Sequence, residues 1–401
     1  MIIRKNYIEK IKPFIDKNLI KVLIGIRRSG KTVLLSQLRD VLIERGVAKE
    51  NIVSINLESL QNRAFCDGLK LYDFILEKSR SVKGRLYLFF DEIQEVDGWE
   101  KIVNSFTVDI DCDIYLSGSN SKLLSGELAT HIAGRYVHFD IYPFTLIEAK
   151  EISIQNGNYR NDGELFLDYL RYGGLPQRFS FSDGESIKAY LSDVYHTIVI
   201  KDIIERNKIK DIDLLKRLTE FLLDNAGGTF SARSITDYMR SNTVNIALPT
   251  VLNYVEYIKN AMIIRTARRY DIRGKSLLKT QEKYYSVDLG LRNALKAGTQ
   301  LDLNRLYENA VYLAMLAEGY EVSVGKIDEK EVDFIATRGN EKMYIQVAVM
   351  LAEQSTVDRE FGSLEKILDN YPKYVVTGEK LDFSKNGIKH VNISEFLFGA
   401  R

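Results

Sequence analysis

The stretch Gly25-Ile26-Arg27-Arg28-Ser29-Gly30-Lys31-Thr32 constrains this chain more than any other. It satisfies the spacing GxxxxGK[ST] with nothing missing. It also stands in the context which that spacing requires. KVLIGI (21–26) reads as a short apolar strand, and TVLLSQLRDVLIERG (32–46) as an amphipathic helix ended by Gly46. Glycines let the backbone curl so that loop N–H groups face a β-phosphate, and the helix N-terminus favours an anion. The eight residues from Gly25 to Thr32 are therefore the expected nucleotide-binding set, with ATP and Mg²⁺ as ligands. Lys31 is placed to reach the β- and γ-phosphates, and the Thr32 hydroxyl to bind Mg²⁺.

A second signal agrees with the first. Leu86-Tyr87-Leu88-Phe89-Phe90-Asp91-Glu92 is an apolar strand with acids only at its C-terminal tip, the ligand edge of a parallel sheet. Asp91 is expected to hold Mg²⁺, and Glu92 to polarise the attacking water as a general base. A third strand ends Leu116-Ser117-Gly118-Ser119-Asn120. Ser119 and Asn120 there are candidates for sensing the γ-phosphate from between the loop and the acids. Gly134-Arg135 precedes a further strand. Arg135 is a candidate arginine finger, in cis or from a neighbouring subunit, and equally reads as a structural arginine.

Composition limits the rest. A chain of 401 residues has room for two or three domains, and 45% hydrophobic with 28% charged residues suits a soluble globular protein. The net charge of +1 means that attraction to nucleic acid must come from a local patch. Two cysteines, Cys66 and Cys112, lie far apart without metal-ligand spacing, which points to a reducing, cytoplasmic setting. No apolar run approaches ~20 residues and the N-terminus is charged throughout, so neither a membrane span nor a signal peptide is expected.

Strands alternate with helices over 1–150, which predicts a mostly parallel α/β sheet. SIQNGNYRNDG (153–163) looks like a boundary loop, and 151–211 reads as a helical lid or linker. Over 212–290 the pattern is three helices and a hairpin, the order of a winged helix. Ser231 is the expected N-cap of its second helix, and Pro249 sits in the first turn of its third. Val251, Leu252, Val255 and Ile258 form the expected buried face of that third helix, with Asn253, Tyr257 and Lys259 directed away. RTARRYDIRGKSLLKTQEK (265–283) carries seven basic and two acidic residues, with Gly274 turning the expected hairpin. A basic wing beside a recognition helix suits phosphate contacts with DNA, although such a module also serves as a packing unit or a protein-binding one.

GIRRSGKT, LYLFFDEIQEVDGWE, the run LSGSNSKLLSGELATHIAGRYVHFDIYPFTLIEA and YGGLPQ (172–177) together resemble the AAA-type ATPase domain of a prokaryotic family, similar to archaeal ATPases and to AAA+ and STAND proteins. The resemblance implies a C-terminal region of the DUF4143 type. Residues 300–401 are similar in turn to the PD-(D/E)xK nuclease fold, in which a helix supplies one acid and two strands supply Asp and Glu/Gln-x-Lys. The matching positions are Glu308, Asp333 and Gln346, while Ala348 stands where the lysine belongs, and neither Lys330 nor Lys342 has the spacing to replace it. That departure implies a nuclease-like fold without cutting activity. The expectation for the whole chain is an α/β protein: a P-loop ATPase domain (1–150), a helical segment (151–211), a winged helix (212–290) and a degenerate nuclease-like domain (300–401). It would act as a nucleotide-dependent switch associated with DNA. The alternatives are an ATP-timed regulator of a protein partner and an ATP-gated active nuclease.

Overall fold

The computed structural model describes residues 1–124, 134–241, 246–278, 282–295, 301–351 and 353–400. The stretch 125–133 of the GSN…GR run lies outside them, as does Lys279 of the basic segment. The chain divides into two compact units. Unit 1 is Met1–Ile141 with Asn260–Met262, and unit 2 is Tyr142–Lys259 with Ile263–Arg401. The boundary near 150 thus falls at 141/142. The polar stretch 153–163 runs from the end of one helix of unit 2 into the next.

Unit 1 is an α/β layer structure. Its helices are α1 (Lys5–Ile11), α2 (Lys31–Glu44), α3 (Gly68–Ser81) and α4 (Trp99–Asp109). Its strands are β1 (Ile20–Ile24), β2 (Ile52–Asn56), β3 (Leu86–Asp91), β4 (Cys112–Gly118) and β5 (Tyr136–Asp140). Among the described residues they form one sheet in the order β2-β3-β4-β1-β5, with every neighbouring pair parallel. Every residue of β1 and β3 is buried, as expected of central strands covered on both faces, and both are apolar apart from Lys21, which pairs with Asp113, and the terminal Asp91. Leu34, Leu35 and Leu38 of α2 pack with Leu23, Phe89 and Tyr115 in the core under the P-loop. Because β4 lies between β1 and β3, three strand ends meet at one edge.

Unit 2 starts with α5 (Leu146–Gln155), α6 (Asp162–Tyr172) and α7 (Gly184–Thr197), the last continuing into a π-helical stretch, Ile198–Glu205. Then come α8 (Ile212–Asp224), β6 (Thr229–Phe230), α9 (Ala232–Ser241), α10 (Leu248–Asn260), β7 (Ile264–Ala267), β8 (Arg269–Asp271), β9 (Ser276–Leu277) and β10 (Glu282–Ser286). The remainder is α11 (Leu289–Ala294), α12 (Leu303–Glu318), β11 (Glu321–Ile327), β12 (Lys330–Arg338), β13 (Glu341–Val347), α13 (Gln354–Leu364), β14 (Lys373–Thr377), β15 (Lys389–Asn392) and α14 (Ile393–Leu397). Ser231 caps α9 as expected, its hydroxyl accepting the Ser234 N–H at 3.0 Å.

The basic segment departs from expectation. β7 pairs with β10, and β10 with β6, in a three-stranded antiparallel sheet. Between them the chain leaves that sheet. β8 and β9 form a separate hairpin that joins the edge of a seven-stranded sheet ordered β15-β14-β13-β12-β11-β8-β9. Gly274 is in the turn of this inner hairpin, where Asp271 Oδ1 accepts the N–H groups of Arg273 and Gly274 at 3.0 and 2.9 Å. Leu252 is a second correction. Val251, Val255 and Ile258 are buried, but Leu252 is 52% exposed. The stripe at i, i+4 and i+7 faces inward, and a residue one step on is turned about 100° away from it.

Candidate active site

The P-loop joins the buried end of β1 to α2. Gly25 has no room for a side chain, since an added Cβ would sit 2.3 Å from the carbonyl oxygen of Ile141, just past β5. Gly30 adopts φ 95° as the residue before α2, in the left-handed region that glycine enters without steric cost. Arg28 is also left-handed, at φ 69°. Arg27 Nη1 pairs with Glu58 at 2.9 Å. The Ser29 hydroxyl is buried without a hydrogen-bond partner among the described residues. Lys31 folds back over the loop, its Nζ donating to the carbonyls of Gly25 and Ile26 at 2.9 and 3.2 Å. These carbonyls hold the ammonium where the loop curls.

The acids at the end of β3 meet this loop. Thr32 Oγ1 donates to Asp91 Oδ2 at 2.7 Å, and the Asn56 amide approaches the same oxygen at 3.4 Å. Asp91 Oδ1 accepts from the Ser117 hydroxyl. Burial raises the Asp91 carboxyl above its usual range, against the hydrogen bonds from Ser117 and Thr32. Glu92 lies at φ 55°, a strained setting for a non-glycine residue that turns its side chain back to the sheet edge. Its Oε1 is 3.8 Å from Lys31 Nζ, and its Oε2 accepts the Ser119 N–H at 3.2 Å. Burial alone would raise the Glu92 carboxyl, but the charge of Lys31, the Gln94 amide, Arg27 and the Ser119 side chain outweigh it and hold it below its usual value. Glu92 is thus a buried carboxylate that stays ionised at neutral pH, as a base must.

The third strand runs where the sequence pattern put it. β4 separates β1 from β3, so Ser117, Ser119 and Asn120 lie between the P-loop and the acids, all buried. Gly118 is tightly enclosed, since a Cβ there would meet the Leu123 side chain at 1.9 Å. Arg135 is at the other end. Its carbonyl accepts from the N–H of Ile20 at 2.8 Å, at the start of β1, and its side chain is exposed with Nη1 3.4 Å from Asn104. A strand of five residues separates that end from the P-loop, roughly 16 Å at ~3.3 Å per residue. A cis arginine finger does not fit this geometry. In a parallel sheet, the residue before a strand lies on the edge away from the ligand.

One contributor gave no motif signal. Arg4 is buried at the chain's start, and its Nη1 donates to the Ser29 carbonyl at 3.1 Å. Its own N–H donates to Gln37 Oε1 at 3.1 Å, while the Gln37 amide donates to the Ile2 carbonyl at 2.7 Å. The N-terminal segment therefore braces both the P-loop and α2.

The oxygen donors fit Mg²⁺. A hydroxyl and a carboxylate touch at the loop end, which is the hard donor set of a cation that takes few protein ligands and keeps waters. In unit 2, Glu308, Asp333 and Gln346 also gather in one place. The Asp333 N–H donates to Gln346 Oε1 at 3.3 Å, and Ala348 is buried without a charge to offer. No helix among the described residues is long and apolar enough to cross a membrane.

Residues 17–150 match the family model described as AAA domain. Residues 163–304 match a domain of unknown function, DUF8612, where the resemblance implied the DUF4143 type. Over 74% of this chain and 96% of the other, the fold is similar to the Walker-type ATPase of Pyrococcus abyssi, at TM-score 0.52 and 17% identity. An uncharacterized protein of Methanocaldococcus jannaschii is 27% identical, with 94% of this chain and 85% of that one covered. An uncharacterized protein of Haemophilus influenzae is 40% identical over 99% of this chain and 98% of its own length. With a complete P-loop, paired acids on a neighbouring strand end and this full-length match, the chain belongs to the same family as the Haemophilus influenzae protein, one built on an AAA-type P-loop ATPase domain.

Proposed function

We propose that this protein binds and hydrolyses ATP with Mg²⁺ and uses the nucleotide state as a switch. The observation that carries the reading is the convergence of Lys31, Thr32, Asp91 and Glu92, with Glu92 held ionised beside Lys31. Lys31 exchanges the Gly25 and Ile26 carbonyls for the β- and γ-phosphate oxygens. Loop N–H groups from Gly25 to Thr32 take the remaining phosphate charge. Thr32 and Asp91 hold Mg²⁺, which when bound neutralises charge on the phosphates. Glu92 orients the attacking water and accepts its proton, while Ser119 and Gln94 fix the carboxylate. Asn120 lies where a γ-phosphate would be felt. Arg135 serves as a finger only toward another copy of the chain. Wild-type protein should release phosphate from ATP in the presence of Mg²⁺, and Lys31→Ala should lose tight ATP binding. Equal ATP affinity in Lys31→Ala would sink this reading.

The sequence α8-β6-α9-α10-β7-β10 has the order of a winged helix, and we read it as the module that meets the partner. For DNA, the supporting feature is the basic segment. However, Arg273 pairs with Asp328 at 2.6 Å, Arg269 lies 3.8 Å from Glu331, and Lys283 is buried against Glu331 and Glu308. Among the described residues, contact with phosphates would then rest on Lys275, which is exposed, and on Arg268, whose side chain is 67% exposed but whose Nε lies 3.9 Å from Glu282. A protein partner is favoured by Leu248, Leu252 and Tyr238, 39%, 52% and 48% exposed on the helices of the same module. We read residues 303–397 as a nuclease-like module that does not cut.

A further inference from the structure

Three carboxylates of unit 2 converge on one ammonium. Lys283, on β10, has its Nζ 2.9 Å from Glu308, 2.7 Å from Glu331 and 4.0 Å from Asp333. The lysine side chain is only 7% exposed. Glu308 comes from α12, and Glu331 and Asp333 from alternate positions of β12, which point to the same face of the sheet. Each acid is also anchored elsewhere. Glu308 Oε1 accepts the Tyr285 hydroxyl at 2.6 Å, Asp333 Oδ2 accepts the Val347 N–H at 2.8 Å, and Arg269 lies 3.8 Å from Glu331.

Gathered, partly buried carboxylates call for a cation, since each loses part of its hydration and repels the others. A divalent metal or a tethered ammonium can supply it. With Lys283 in place, no group of three or more Asp, Glu, His or Cys side chains among the described residues could hold a metal ion. The ammonium stands where the acids converge. Burial draws the Lys283 pKa down, but Glu308, Asp333 and Glu331 together hold it above its usual value. Burial and Glu308 push the Asp333 carboxyl well up, and Lys283 opposes them. The cation that Ala348 cannot provide therefore arrives from another sheet. It is spent on the acids, where it cannot face a phosphate.

We propose that Lys283 is a built-in cation. It occupies the place that a divalent metal would take among Glu308, Glu331 and Asp333, and it ties β10 to the seven-stranded sheet. This deepens the reading of residues 303–397 as a module that does not cut, and it does not depend on nucleotide chemistry.

The test titrates Mn²⁺ into the full-length, nucleotide-free chain, read by thermal melting and by calorimetry. Wild type and Asp333→Asn should bind the same number of Mn²⁺ ions, since any site at the P-loop is common to both. Lys283→Ala should melt about 5–15 °C lower, because it leaves the acids uncompensated. It should also take up one additional Mn²⁺ that restores most of the loss. Adding Asp333→Asn to that variant should remove the gain. If Lys283→Ala does not accumulate folded, Mn²⁺ present during refolding should recover it, and Lys283→Arg should fold without Mn²⁺. The proposal is overturned by wild-type Mn²⁺ binding that Asp333→Asn abolishes, or by a Lys283→Ala protein that melts like wild type and binds no further Mn²⁺. Failure of Mn²⁺ to recover an unfolded Lys283→Ala also overturns it. Metal-dependent DNA cleavage by wild type, lost in Asp333→Asn, would instead refute the non-cutting reading itself.

Discussion

Replacing Glu92 by Gln should separate ATP binding from hydrolysis. The change removes one charge and almost no volume, so the strained turn at φ 55° and the hydrogen bond from the Ser119 N–H can both persist. It does remove the ion pair with Lys31. At 3.8 Å, that attraction amounts to about 4 kcal/mol at an effective dielectric constant of about 20. Lys31 is thereby released from one competitor for the phosphates, and the phosphates lose a nearby negative charge. ATP should bind as tightly as in wild type or up to ~10-fold more tightly. Hydrolysis should fall by ~10²-fold or more, which corresponds to at least about 2.7 kcal/mol of transition-state stabilisation. Calorimetry with ATP and Mg²⁺ measures the first quantity, and single-turnover phosphate release the second. The pH profile adds an independent check. The Glu92 carboxyl is held below the usual glutamate range in the folded protein, so it stays ionised as pH falls through that range. The kcat/KM of wild type should therefore show no acid limb from this residue between about pH 5 and 8. Wild-type turnover in Glu92→Gln would refute the assigned role, and loss of ATP binding would show that Glu92 builds the site and does not act within it.

Three further outcomes follow from the geometry. Arg4→Ala removes the donor to the Ser29 carbonyl and should weaken ATP binding by about 10-fold, near the 1.5–3 kcal/mol of a charged hydrogen bond at its lower end, measured by calorimetry. Gly25→Ala places a Cβ 2.3 Å from the Ile141 carbonyl oxygen and should lower the melting temperature of unit 1 and abolish nucleotide binding together, as differential scanning calorimetry with and without ATP would register. If the module binds duplex DNA, Lys275→Ala, at an exposed side chain, should reduce the salt slope by about one unit while Arg269→Ala and Arg273→Ala change it less, because both are engaged by acids; equal slopes for all three variants and wild type point to a protein partner.

The convergence of Lys31, Thr32, Asp91 and Glu92 was legible in the sequence because its parts are local. A P-loop is eight consecutive residues between a strand and a helix, and the acids announce themselves as the polar tip of an apolar run. The hairpin of β12 and β13 was legible for the same reason, with Gly339 at φ 57° in its two-residue turn. Across that hairpin the Asp333 N–H donates to Gln346 Oε1 at 3.3 Å, and Glu308 and Asp333 both lie near Lys283. What each position faces was legible only in part. The place of β4 between β1 and β3 agrees with the expectation for Ser119 and Asn120, whereas the pairing of β5 with β1 put Arg135 on the edge away from the loop. The basic segment shows the limit most clearly. Seven positive charges in nineteen residues look like a surface for phosphates. Only tertiary structure could show that β8 would leave the hairpin to pair with β11, and that Lys283 would turn inward to acids on α12 and β12. A charge carries no mark of its partner, and the partner here is set by packing between segments 25 to 50 residues apart.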